Sequence, residues 1–107
     1  MTEMSELALA ELDSAWGEFI VGLRMRDGLN ENALERLHEA LKSCESVWKG
    51  KGSIPRLGAN ILVDIFQATE GAAYAYEDEQ QARILEASFY LQDLVRQCVG
   101  IDDSEMN

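Results

Sequence analysis

The sequence predicts an all-α protein, an antiparallel up-down-up-down four-helix bundle forming a single domain over residues 1–107. Three observations predict it. Apolar residues recur at three- and four-residue spacing in four successive stretches, which is the pattern of one buried face per helix. Good helix formers (Ala, Leu, Glu, Gln, Arg) are abundant and there is one proline. No run alternates apolar and polar residues between turn signals, so strand content should be near zero. With 107 residues, 47% of them hydrophobic and 27% charged, the chain is long enough for one core and has globular composition.

The first helix is predicted from residue 2 or 3 to residue 26. Leu9, Leu12, Trp16, Phe19 and Leu23 form its face, with Ile20 beside them. Asp27-Gly28 is a stop signal, because glycine takes the left-handed conformation that ends helices. Asn30 or Asn32 is placed to cap the second helix, and Asn32 with Glu35 has capping-box spacing. That helix is predicted over residues 31–49, with Leu34, Leu37, Leu41, Cys44 and Trp48 as its stripe. The segment "GKGS" ends it. Ser53 is a candidate N-cap for the third helix, and Pro55 fits its first turn, where a missing N–H costs nothing.

In the third helix Leu57, Ile61, Ile65, Ala68 and Ala72 share a stripe that Leu62, Phe66 and Ala73 widen, so it should be the most buried of the four. Gly58, Ala68, Ala72 and Ala73 are small enough for close helix approach. The stretch "AYAYEDEQQARIL" that follows has no glycine or proline. The stripe of the last segment (Ile84, Ala87, Leu91, Leu94, Val95, Cys98) is rotated by about a quarter turn from that of the third helix, and one continuous helix would be roughly 70 Å long. A turn at residues 76–78 resolves both problems. Asp78 would cap the fourth helix, with Gln81 in the capping-box position, and substitutions at Tyr76 and Asp78 should cost little. A long bent helix shared with a second chain is the competing reading. The polar tail, about 100–107, is expected to fray.

The formal net charge is −11, from 20 acidic and 9 basic side chains. Phosphates would be repelled and no basic stripe compensates, so neither nucleic acid nor an anionic membrane is an expected partner. A basic protein is compatible. No basic n-region, apolar h-region or 18-residue apolar run is present, and Cys44 and Cys98 fall on apolar faces, so a cytoplasmic, reduced protein is expected.

Catalytic constellations are missing from the pattern. Glu35-x-x-His38 resembles half of a di-iron motif, but His38 is the only histidine and lies off the stripe. Cys44 points away from His38, so no nucleophile sits beside a base. The expectation is no enzyme activity, no cofactor and no metal site. Lys49, Lys51, Ser53 and Arg56 cluster before a helix N-terminus and form a weak anion-binding candidate.

Several apolar residues project off the stripes: Leu7, Val21 and Met25 on the first helix, Val63 and Tyr74 on the third, Leu85, Phe89 and Tyr90 on the fourth. The acidic charge concentrates in the first and last helices, which would be neighbours if the helices followed chain order around the bundle. Val21, Met25, Leu85 and Phe89 would then form an apolar patch rimmed by Glu11, Glu18, Glu86 and Asp93. The function these features suggest is a non-enzymatic protein-interaction module for a basic partner: an inhibitor, an immunity-type protein or an adaptor. A homodimeric structural or regulatory protein is the alternative, and a small-molecule binder with an inter-helix cleft is the third.

Overall fold

A computed structural model describes residues 4–100, apart from the side chains of Ser5 and Lys51. The first residues of the predicted first helix and residues 101–107 of the polar tail lie outside that range. The fold is the predicted all-α up-down-up-down bundle, with α1 over Met4–Arg24, α2 over Glu31–Lys51, α3 over Arg56–Ala73 and α4 over Asp78–Val99. The chain turns back inside the glycine-free stretch, and α3 and α4 are separate helices. Among the described residues no helix is long and apolar enough to cross a membrane.

The order of the helices around the bundle departs from chain order. α1 packs on α2 and α3, and α4 packs on α3 and α2, so α1 and α4 occupy diagonal corners. Successive helices are antiparallel, which makes the neighbours α2 and α4 parallel. Their side-chain pairs advance together accordingly: Glu31 with Arg83, His38 with Tyr90, Lys42 with Gln97. The expectation that the first and last helices adjoin is therefore corrected. Periodicity says which face a helix buries, and says nothing about which helices share an edge.

The core is one cluster. Leu12, Leu23, Leu37, Leu41, Ile65, Ile84 and Leu91 are fully buried within it, each worth about 1.5–3 kcal/mol of burial. α3 is, as expected, the helix with the smallest exposed share among the described residues: it buries Gly58, Ile61, Leu62, Ile65, Thr69 and Ala73, although Leu57 and Val63 are exposed. Its small residues act as foreseen at one point. A Cβ on Gly58 would lie 2.7 Å from the Trp48 ring, so only glycine lets that indole fill the end of the core.

The helix ends differ in detail from their sequence signals. α1 closes with Arg26 in the left-handed region (φ 63°), its N–H donating to the Leu23 carbonyl (3.1 Å) and that of Asp27 to Gly22 (3.0 Å). Gly28 is not the stop. It is buried at φ 85°, and its N–H donates to the Tyr76 hydroxyl (3.0 Å), which itself donates to the Leu23 carbonyl (2.8 Å). Tyr76 thus ties the α1–α2 turn to the α3–α4 turn, and its substitution cannot be cheap. Asn30, not Asn32, caps α2, accepting from Ala33 N–H (3.0 Å). Ser53 does not cap α3. Pro55 occupies that position, itself extended (φ −60°, ψ 150°) and without a side-chain bond, so the helix starts only after it. Asp78 does not cap α4 either: it is the first helical residue, at φ 53°, behind Glu77. The Gln81 side chain donates instead to the Tyr76 carbonyl (2.9 Å).

Candidate functional site

α4 presents both apolar and charged residues on its exposed surface. Ile84, Ala87, Leu91, Leu94 and Cys98 face inward, which turns residues 85, 86, 89, 90 and 93 to the sides and outward. On the α3 side, Phe89 is 56% exposed and its ring lies 5.7 Å from that of half-buried Phe66. Leu85, one turn back from Phe89, is half-buried, and Val63, three residues before Phe66, is 69% exposed. Glu86 and Asp93 stand on the outward face of α4, and half-buried Glu70 is one turn beyond Phe66.

The predicted patch therefore divides. Leu85, Phe89, Glu86 and Asp93 stay together on α4. Val21 and Met25 are exposed as foreseen, but on α1 and just past its end, at the diagonal corner. Glu11 and Glu18 form no rim. They bind one guanidinium in the α1/α2 seam, where Arg36 donates to Glu11 (2.8 Å), Glu18 (2.7 Å) and the Ser14 hydroxyl (2.9 Å). The hydrogen bond to Glu11 is the main reason the Arg36 pKa is raised. Phe66 joins the apolar surface through its contact with Phe89, and exposed Val63 lies one turn from Phe66 on α3. Their signal was present, since Val63 projects off the stripe, but Phe66 reads equally well as the widened edge of a core face.

The α2 flank of α4 holds a different arrangement. A cavity of about 370 Å³ is lined by Glu31, Leu34, Glu35, His38, Glu39 and Tyr90. A second, of about 210 Å³, shares Glu31, Leu34 and Tyr90 with it and adds Leu29, Arg83, Glu86 and Ala87. The His38 and Tyr90 rings stack at 5.6 Å with 19° between planes, and Nδ1 of His38 is hydrogen-bonded to the Tyr90 hydroxyl. Arg83 pairs with Glu31. Sequence reasoning missed this groove because its partners are some fifty residues apart.

The anion-binding candidate separates as well. Lys49 and Ser53 border a cleft of about 460 Å³ with Trp48, Gln97 and Gly100, while Arg56 is exposed at the start of α3 and the Lys51 side chain lies outside the description. Both α2 and α4 end here, at Gly52 (φ 71°) and Gly100 (φ 80°). Two helix C-termini bring partial negative charge, which opposes an anion.

The thiols are inert in character. Cys44 and Cys98 are buried, and each donates to a neighbouring helix carbonyl, Ala8 (3.4 Å) and Leu41 (3.3 Å). Burial pushes their pKa values up, to about 11 and about 12. Among the described residues no three His, Cys, Asp or Glu side chains converge as metal ligands would. Comparison with protein-family models, curated proteins and solved structures gives no match.

Proposed function

We propose that this protein is a non-enzymatic interaction module that binds a basic protein partner through the exposed face of α4, acting as an inhibitor or adaptor. The observation that carries the reading is Phe89. It is a large aromatic more than half exposed, backed by Phe66 and flanked along α4 by Leu85, with Glu86 and Asp93 within a turn of it. An apolar centre with a charged rim is the usual anatomy of a protein contact, and aromatic anchors carry much of its energy. The rim selects the partner's sign. A second copy would set acidic rims against each other in a chain of net charge −11, whereas a basic surface complements them and is steered onto them.

The test is capture from the native cell at low and high salt, followed by titration of the purified captured protein. A basic partner should lose about thirtyfold or more in affinity for Phe89→Asp, while Met25→Asp just past α1 binds like wild type and both keep the helical circular dichroism spectrum. Partner binding unaffected by Phe89→Asp would reject this face. A concentration-dependent dimer abolished by Phe89→Asp would reassign it to self-association.

A further inference from the structure

We infer that the groove between α2 and α4 is a slot for an arginine side chain of a basic protein. The inference rests on the proposed reading that the partner is basic, and it names the chemistry the partner presents. Three features combine. Leu34 and Ala87 supply an apolar lining, which suits the aliphatic stem of a long cationic side chain. Tyr90, held by its hydrogen bond and stacking with His38, remains 42% exposed and offers an aromatic surface to a planar cation. Carboxylates complete the lining: Glu31, Glu35 and Glu39, with Glu86 adjoining.

The local charge arrangement suits a cationic side chain. Glu31, Glu35 and Glu39 are spaced i, i+4, i+8 on α2, and like charges at that spacing destabilise a helix. Only Glu31 is compensated, by Arg83. Elsewhere on α2 and its α1 seam the acids have partners: Glu11 and Glu18 share Arg36, and Glu45 takes Lys42 and Lys49. Among the described residues Glu35, Glu39 and Glu86 have none; Glu35 and Glu39 line the larger cavity and Glu86 the smaller one beside it. Arginine suits it better than lysine, because a guanidinium stacks on an aromatic ring while its fork reaches carboxylates. The groove and Phe89 flank the same helix, so one partner surface could engage both.

Titration of the full chain with the blocked tripeptide acetyl-Ala-Arg-Ala-amide, followed by amide NMR shifts, tests the slot. Saturable shifts should cluster at Leu34, Glu35, His38 and Tyr90. The citrulline analogue, equal in shape but neutral, should produce none, and the lysine analogue should bind about threefold to tenfold more weakly. Glu35→Gln with Glu39→Gln removes repulsion rather than packing, so the fold should hold while the arginine peptide weakens about tenfold. Shifts spread equally over the acids of α1, a lysine peptide as good as arginine, or no effect of the double variant would each overturn the assignment. The peptide titration reads the slot and partner capture by Phe89→Asp reads the Phe89 surface, so failure of the one and failure of the other are distinguished.

Discussion

Along its α2 flank, α4 meets polar partners: Arg83 on Glu31, Tyr90 on His38, and Gln97 accepting from Lys42 (3.2 Å). Along its α3 flank it meets Phe66 through Phe89, with no cross-seam ion pair among the described residues. The difference shows two ways of ending a core at the surface. Polar pairs have directions and fix the register of two parallel helices. An apolar seam without such pairs is satisfied by any apolar cover, and what is left uncovered is available to another molecule. α2 has the composition for the first role, since residues 28–52 are electrically neutral between acidic neighbours, so its Arg36 and Lys42 can serve α1 and α4 in turn.

The comparison presupposes one core beneath both flanks, and the largest expected effect tests that. Leu91 is fully buried and Phe89, two residues away, is not. Leu91→Ala should cost about 2–5 kcal/mol by denaturant unfolding, and Phe89→Ala no more than about 1 kcal/mol, the worth of a partly exposed aromatic contact. Equal losses would make Phe89 a core residue and remove it as a binding surface.

Tyr76 comes next. Its hydroxyl links the two turns at the end where both flanks begin. Tyr76→Phe leaves the buried Gly28 N–H without a partner and should cost about 1–2 kcal/mol, measured the same way. A neutral result would mean that water replaces the hydroxyl and that the flanks are aligned by the α2 pairs alone.

The stripes were legible because they are local: Leu34, Leu37, Leu41, Cys44 and Trp48 repeat within one helix, and each is buried or half-buried. The turn before Asp78 was legible from the rotation between two stripes despite the missing glycine. The candidate site was legible only in its α4 half. Leu85 and Phe89 sit visibly off their stripe, but assigning them Val21 and Met25 required an edge order that periodicity does not encode. Gly28 was read as a stop because its true constraint, Tyr76, is 48 residues away, and His38 was read as solvated because Tyr90 is 52 away.

Alkali separates the seams by titration. Both thiols donate into seams of α2, and burial raises their pKa values to about 11 and about 12 from an ordinary 9.0. Above the ordinary value the unfolded chain loses protons that the folded one keeps. The contribution is therefore complete below about pH 9 and is lost as pH rises through 11 to 12. The denaturation midpoint should fall over that window, and the folded protein should resist thiol alkylation at pH 8. Rapid alkylation of folded protein there would show that the α2 seams open.

The smallest effects distinguish the flanks most sharply. A double-mutant cycle on Glu31→Gln and Arg83→Met should give a coupling of about 0.2–1 kcal/mol at low salt, because the pair is exposed and its charges remain hydrated. The same cycle on Phe66→Ala and Phe89→Ala should give about 0.5–1 kcal/mol, reflecting contact between two rings rather than charge. The magnitudes overlap, so salt decides. Screening acts on the charged pair and leaves the rings untouched, so at high ionic strength the first coupling should shrink toward zero and the second should persist. If both persist, the Glu31–Arg83 pair is held by packing of the arginine stem rather than by charge, and the contrast between a polar and an apolar flank of α4 dissolves. If the ring coupling alone vanishes in salt, Phe89 does not rest on Phe66 in solution, and the apolar surface must be sought elsewhere on α4.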